Sequence, residues 1–221
     1  SKGILSFDGE TWNNYTSDDG LLSSDLTVMV VDHNNVKWFG HEAGVSSYDD
    51  VTFTDHTQID GPMNYIRMIK IGPDNTKWVG ADDGLWSYDD TTWHHYSGDN
   101  LPESKVKMLE IDIDNSVWMC IDDVFGVVHF DGKETEIFTE DNGLISNRVN
   151  TIAIDHDGVK WFGTDEGIST YKYNSVTSVT SKNEQPESIP LIKSYPNPFN
   201  PSTTIEFTLP ESGFTTLTIY T

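Results

Sequence analysis

Residues 159–171, VKWFGTDEGISTY, repeat a phrase that residues 36–48 spell as VKWFGHEAGVSSY. Two weaker copies lie between them, so that a tryptophan recurs at spacings of 40, 40 and 43 residues. The tryptophans and the aromatic residue that follows each of them form two columns: Trp38, Trp78, Trp118 and Trp161, then Tyr48, Tyr88, Phe130 and Tyr171. A constant period of this length indicates a repeat architecture.

Each repeat contains four segments that are typical of short β-strands. An apolar run that ends in Asp and Asn, as in TVMVVDHNN at 27–35, predicts a strand and a tight turn, and the tryptophan segment then completes a hairpin. Segments such as GVSSYDD at 44–50 and TWHHYS at 92–97 supply a third and a fourth strand. No stretch shows helical periodicity.

Four strands in each repeat of about 40 residues are the signature of a β-propeller blade. We therefore predict an all-β fold, a β-propeller of four full blades plus a half blade, because residues 3–16 supply only the third and fourth strands. Stacked blades bury one another's faces. The residues of the two aromatic columns are thus the predicted core between blades.

The best copy, AIDHDGVKWFGTDEGISTY at 153–171, and the loops at 17–26 and 140–149 resemble the two-component-regulator propeller repeat. The resemblance covers roughly residues 3–180. It implies either a sensor region that recognises glycan fragments or a free-standing extracellular protein. Cys120 departs from the pattern, since it stands where the other copies have glycine.

The C-terminal residues differ in composition from the repeats. Residues 181–194 are polar with two prolines, which predicts a linker. Residues 195–221, YPNPFNPSTTIEFTLPESGFTTLTIYT, resemble the start of the C-terminal sorting domain of type IX secretion substrates. The expected organisation is therefore propeller repeats at 1–180, a linker at 181–194, and the first part of an Ig-like sandwich at 195–221, with both ends of the chain truncated. The resemblance implies export, with the secretion machinery as a partner.

Composition excludes several classes of partner. Asp and Glu number 36 against 13 Lys and Arg, a formal net charge of -23 that disfavours nucleic acid and anionic lipid. The single cysteine excludes an intrachain disulfide. No apolar run approaches the ~20 residues of a membrane-spanning helix. We predict no nucleic-acid partner and no membrane span.

The sequence offers no catalytic constellation that we can assign, so we predict no catalytic residues and favour a protein that is not an enzyme. Several carboxylates in the hairpin turns are of the type that binds calcium: Asp32, Asp112, Asp114, Asp155 and Asp157. None completes a calcium loop, and we interpret them as turn caps. No cofactor is predicted, with calcium left as the alternative.

Three aromatic residues have no counterpart in the other repeats: Trp86, Tyr65 and Phe125. Exposed rings can stack on sugars, so these are the candidate ligand-binding residues, although the same rings could instead fill gaps in the core. The prediction is a secreted or cell-surface binding or assembly module for a polysaccharide or cell-surface glycan. One alternative is an extracellular carbohydrate-active enzyme on a propeller scaffold. The other is a structural surface protein that self-associates by strand donation at its incomplete blade.

Overall fold

The computed structural model describes residues 3–96, 101, 104–122 and 126–172, together with the backbone of two strands at 192–195 and 204–207. The chain divides into two compact units, Ser1–Ile137 and Phe138–Thr221. The described residues form β-strands joined by turns and short 3₁₀ segments. The predicted all-β class is therefore correct.

The first unit contains a hairpin and three four-stranded sheets, except that Phe138, the last residue of the third sheet, belongs to the second unit. Consecutive strands are neighbours in each sheet. The hairpin is β1 (Ile4–Phe7) and β2 (Trp12–Tyr15). The first sheet is β3 (Leu26–Val31), β4 (Lys37–His41), β5 (Gly44–Tyr48) and β6 (Phe53–Asp55); the second is β7 (Ile66–Ile71), β8 (Lys77–Ala81), β9 (Gly84–Tyr88) and β10 (Trp93–Tyr96); the third is β11 (Val106–Ile111), β12 (Val117–Ile121), β13 (Val127–Phe130) and β14 (Thr135–Phe138). These sheets match the predicted four-stranded blades.

Within the described residues, β1 pairs with β2 alone. The hairpin thus corresponds to the predicted half blade. Strand donation at this hairpin remains a prediction.

The fourth sheet lies in the second unit and has five strands, in the order β15 to β19. They are β15 (Val149–Ile154), β16 (Lys160–Thr164), β17 (Gly167–Tyr171), β18 (Ile192–Tyr195) and β19 (Thr204–Phe207). Strand β18 includes the last residues of the predicted linker and pairs with β17, whereas β19 lies within the predicted sandwich segment. The second strand expected in that segment, at 214–221, falls outside the described residues, and the sandwich remains a prediction.

Aspartate side chains fix the turn between the first two strands of a sheet. The Oδ1 atom of Asp32 accepts the backbone N–H groups of Asn34 and Val36, both at 2.9 Å. Asn35 completes this turn in the left-handed region, at φ 65°. Asn tolerates this conformation better than most residues, so the Asp-x-x-Asn sequence specifies a tight hairpin.

The second strand of the second sheet, β8, faces two neighbouring sheets. Val79 and Ala81 pack in one cluster with Trp38 of the first sheet. On the opposite side of the same strand, Trp78 packs in a second cluster with Leu109 and other apolar residues of the third sheet. This alternation follows from the two-residue period of a strand and explains why every repeat carries the same phrase.

Aromatic pairs recur between successive repeats. A ring at the end of one repeat's fourth strand, or directly after it, lies against the ring that ends the third strand of the next repeat. The ring centroids are 5.3 Å apart for Tyr15 and Tyr48, 5.4 Å for His56 and Tyr88, and 5.0 Å for Tyr96 and Phe130, and within the second unit 5.0 Å for Phe138 and Tyr171. Pairs at these separations add to the stability that burial alone provides.

The tryptophan column is not uniformly buried. Trp38, Trp78 and Trp118 are 3%, 5% and 2% exposed, but Trp161, which we expected in the core, is 43% exposed. In the first unit, Trp38 and Trp78 are covered by the sheet that comes next in sequence. The described residues contain no further repeat after β17 that could cover Trp161.

Candidate functional site

The second sheet brings two of the three candidate ligand-binding residues to one end. Tyr65 precedes β7 and Trp86 lies on β9, and both contact the turn at 82–84 between β8 and β9. The backbone N–H of Asp82 donates to the carbonyl oxygen of Tyr65 at 3.1 Å. The indole N–H of Trp86 donates to Oδ1 of Asp83, also at 3.1 Å. We call this group the second-sheet site; it comprises Asn64, Tyr65, Arg67, Asp82, Asp83, Trp86 and His95.

Asp83 uses both carboxylate oxygens inside the site. While Oδ1 accepts the Trp86 indole, Oδ2 accepts the side-chain amide of Asn64 at 2.7 Å. The Nε2 atom of His95 lies 3.1 Å from the carbonyl oxygen of the same aspartate. The turn therefore fixes the positions of three side chains that come from three different parts of the sheet.

Trp86 is half-buried and lies among other rings. The His95 ring is stacked on it at 4.1 Å with an interplanar angle of 9°, and Trp93 meets it edge-on at 6.5 Å. It also packs against the cluster between the first and second sheets. Trp86 thus contributes to the core, as the alternative interpretation of its sequence position allowed, and presents only part of its indole to solvent.

Tyr65 is the more accessible of the two rings, with 37% of its surface exposed. The Cζ atom of Arg67 lies 5.2 Å from the centre of its ring, within the range of a cation–π contact. The Nε of Arg67 in turn donates to Oδ1 of Asp82 at 2.5 Å. Ring, guanidinium and carboxylate therefore form one connected group at the surface of the sheet.

A β-bulge positions Arg67. The pairing register of β7 with β8 shifts between Ile66 and Met68, and the residue between them is Arg67. The same shift occurs in β3, β11 and β15. A bulge redirects the side chain of the extra residue and is often found next to functional sites.

The bulged residue carries a polar side chain in each of the four sheets: Thr27, Arg67, Lys107 and Asn150. In the third sheet the ammonium of Lys107 contacts Asp122, and within the second unit the amide of Asn150 donates to Asp165 at 2.6 Å. This column of bulged polar residues was not predicted from the sequence. The sequence signal for this column is a residue with a hydrogen-bonding side chain at the second position of the first strand in each sheet.

Cations at this end of the first unit are paired with carboxylates. The hydrogen bond from Lys107 holds the pKa of Asp122 below its ordinary value, and the charges of Lys105 and Arg67 act in the same direction. The hydrogen bond of Arg67 itself goes to Asp82.

Phe125, the third candidate ligand-binding residue, lies outside the described residues. Among the calcium candidates, Asp32 and Asp155 each accept an indole N–H, from Trp38 at 3.0 Å and from Trp161 at 2.8 Å.

The Oδ1 atoms of Asp112 and Asp114 accept backbone N–H groups, and Asp157 lies beside His156. No group of three or more His, Cys, Asp or Glu side chains in the described part of the chain is placed to hold a metal ion. Calcium therefore stays the alternative that the sequence left open.

Cys120 lies on β12 with only 6% of its surface exposed. Burial raises the pKa of its thiol to about 12, so the thiolate is scarce at neutral pH. No helix in the described residues is long and apolar enough to cross a membrane.

No family model and no curated protein matches the sequence. Among solved structures, the extracellular domain of the one component system BT4673 from B. thetaiotaomicron aligns with a TM-score of 0.61 at 18% identity, over 79% of this chain and 25% of that chain. PorZ, a surface component of the type-IX secretion system of Porphyromonas gingivalis, aligns with a TM-score of 0.54 at 21% identity, over 88% of this chain and 32% of that chain. The sheets have the fold of propeller blades.

Virginiamycin B lyase from Staphylococcus aureus aligns as well, with a TM-score of 0.54 at 16% identity, over 85% of this chain and 68% of that chain. At these identities the likeness establishes the blade fold alone, since propellers serve many functions. This chain spans about a quarter to a third of the length of the BT4673 and PorZ structures.

Proposed function

We propose that this protein is a secreted or cell-surface β-propeller that recognises a glycan and acts as a binding or assembly module without catalysis of its own. One observation carries the proposal. Tyr65 and Trp86, the two described aromatic residues without counterparts in the other repeats, both contact the turn at 82–84, at one end of the second sheet.

The composition of the second-sheet site supports a sugar ligand. An exposed aromatic ring offers an apolar face with a negative quadrupole, which suits the C–H face of a pyranose ring. Amide, carboxylate and guanidinium groups around it are planar donors and acceptors that match sugar hydroxyls. A few polar groups placed beside an aromatic surface are typical of small-molecule sites.

The sequence of residues 195–221 supports export, because it resembles the start of a type IX sorting domain. The likeness of the repeats to PorZ, itself a surface component of that secretion system, is in line with this location. We therefore propose the secretion machinery as a second partner. Deletion of residues 195–221 from the full-length protein in a host with a type IX system is expected to abolish its appearance outside the cell. Undiminished release would contradict the proposed route.

Binding to an array of neutral and acidic oligosaccharides tests the recognition proposal. Tyr65→Ala removes the exposed ring, and Trp86→Ser copies the residue that the first and fourth repeats carry as Ser46 and Ser169. We expect each variant to weaken binding by about tenfold or more. Trp12→Thr is the matched control, since it removes an exposed tryptophan of the hairpin and copies Thr135 of the third repeat.

Two results would count against the proposal. The first is the absence of binding to any glycan, or binding that both site variants leave unchanged. The second is depolymerisation of a bound polysaccharide, which would favour the carbohydrate-active enzyme that the sequence left open.

A further inference from the structure

We infer that the second-sheet site takes an uncharged saccharide, with the ring of Tyr65 against the sugar and the Arg67–Asp82 pair bound to two neighbouring hydroxyls. This inference rests on the proposed function and names the class of glycan. It also assigns to Arg67 and Asp82 a role in specificity that the sequence did not indicate.

The charges around the second-sheet site favour an uncharged ligand. Arg67 is hydrogen-bonded to Asp82, and Lys107 is paired with Asp122, so the two bulged cations of this region are already balanced by carboxylates. Asp83 adds a further carboxylate to the site, and the whole chain carries a formal charge of -23. The negative charge of the whole chain disfavours a ligand that carries a carboxylate or sulfate, whereas it does not repel hydroxyls.

Tyr65 is held by contacts of both its backbone and its ring. Its carbonyl oxygen is held by the N–H of Asp82, and its ring is in contact with the guanidinium of Arg67 on one side. The exposed part of the ring is therefore presented in a fixed orientation. A platform that is already ordered loses little conformational entropy when a ligand stacks on it.

The Arg67–Asp82 pair has hydrogen-bonding capacity that the described residues do not use. The guanidinium has five N–H donors, and within the described residues only the Nε donor has a protein acceptor. The Oδ2 atom of Asp82 likewise receives no hydrogen bond from the described residues. A donor fork beside a free acceptor suits two adjacent hydroxyls, each of which can accept from arginine and donate to a carboxylate.

The repeats provide an internal comparison. At the position of Tyr65 the other sheets carry Asp25, Lys105 and Arg148. Among the described repeats, the second sheet is the one that combines an aromatic ring with a bulged arginine. The site is therefore specific to one blade, although the bulge that positions Arg67 is common to the sheets.

Calorimetry with purified oligosaccharides tests the inference. The probes are neutral hexasaccharides (cello-, xylo-, manno- and malto-oligosaccharides) and acidic ones (oligogalacturonate and chondroitin sulfate). We expect at least one neutral probe to bind about tenfold more tightly than every acidic probe. Its Kd should change little when salt is raised from about 50 mM to about 500 mM, because a neutral ligand forms no ion pair with the protein that salt could screen.

Arg67→Lys keeps the charge and copies Lys107 but removes the planar fork, so we expect it to weaken the neutral probe about tenfold. Lys107→Arg is the matched control and should leave the Kd within about twofold.

Tightest binding of an acidic probe, with affinity that falls as salt rises, would overturn the inference. So would loss of binding in Tyr65→Ala together with an unchanged Kd in Arg67→Lys, an outcome that leaves the proposed function intact. If no probe binds, the proposed function fails together with the inference.

Discussion

The ammonium nitrogen of Lys77, on the second sheet, lies 3.2 Å from a carboxylate oxygen of Asp32, on the first sheet, and both side chains are almost completely buried. Lys77 also contacts Asp90 of its own sheet and lies 5.2 Å from the centre of the Trp38 ring. Burial raises the pKa of Asp32, but hydrogen bonds from Trp38 and Val36 and the charge of Lys77 together bring it below its ordinary value. A buried ion pair thus joins two successive sheets.

Removal of one member of this pair should be more harmful than removal of both. Lys77→Met leaves the Asp32 carboxylate buried without its cation, and we expect the free energy of unfolding to fall by about 3 kcal/mol. Asp32→Asn should lower the free energy of unfolding less in the Lys77→Met variant than in the wild type. The difference between the two effects, the coupling energy, should be about 1–3 kcal/mol. Urea unfolding of the four proteins in the cycle measures this value. Strictly additive effects would show that the pair contributes no specific interaction.

The next interface in the first unit lacks this pair. Gly72 and Val117 occupy the positions of Asp32 and Lys77, and the indole N–H of Trp78 has no hydrogen-bond partner in the described residues. A Cβ atom on Gly72 would lie 2.6 Å from Oδ1 of Asn115, closer than carbon and oxygen can approach. Both the carboxylate and the lysine are therefore absent from this interface, the carboxylate from the second sheet and the lysine from the third.

Gly72→Asp should destabilise the protein by about 1–3 kcal/mol, because the new carboxylate is crowded by Asn115 and has no buried cation. Val117→Lys alone should also destabilise, since it buries an ammonium without a carboxylate. The double variant should recover part of the loss by recreating the Asp32–Lys77 arrangement. Thermal unfolding measures the stability of the three variants and the wild type. A loss of stability in the double variant that is larger than the sum of the two single losses would contradict this prediction.

The imidazole of His56 makes stability depend on pH. It is almost fully buried, and its Nε2 atom lies 2.9 Å from the hydroxyl of Ser47. Burial lowers the pKa of His56 to about 4, below the ordinary value near 6.5. A histidine with a depressed pKa contributes stability that is present above its unfolded pKa. This contribution is lost as pH falls from about 6.5 towards 4, because the unfolded chain binds the proton first.

His56→Tyr copies the second repeat, where the hydroxyl of Tyr96 lies 3.1 Å from Ser87 in the same arrangement. The variant keeps a ring and a hydrogen-bonding group but has nothing to titrate in this range. The free energy of unfolding of the wild type should fall between pH 8 and pH 5, and we expect this fall to be about 2 kcal/mol smaller in the variant. His41 is also buried with a lowered pKa and should account for part of the remaining slope. Urea unfolding at the two pH values measures the effect, and an unchanged difference would contradict it.

The period and the strands could be predicted because they depend on local pattern. Trp38 and Trp78 occupy equivalent positions in hairpins of the same register, so the strands assigned in one repeat predict those of the other repeats. The exposure of Trp161 could not be predicted in this way, because it depends on whether another sheet covers that face and not on its own repeat. The addition of β18 and β19 to the fourth sheet was missed for a related reason, since residues 192–194 read as part of a polar linker.

The candidate site could be predicted only in part. Tyr65 and Trp86 could be predicted as site residues because they differ from the residues at the same positions in the other repeats. Which side chains surround them depends on the pairing register of the strands. His95 covers Trp86 since the two residues are directly opposite in the pairing of β9 and β10, a register that composition does not specify. The bulge at Arg67 is invisible in a sequence that simply reads as apolar strand.

Hydrogen–deuterium exchange with and without the tightest-binding neutral hexasaccharide tests the central claim most directly. The account predicts slower exchange in peptides that cover residues 64–67 and 82–86 of the second sheet. The equivalent peptides of the first sheet, at 24–27 and 42–46, should exchange at an unchanged rate and serve as an internal control. Protection that appears in the first sheet or in the fourth, and leaves residues 64–67 and 82–86 unaffected, would contradict the placement of the site.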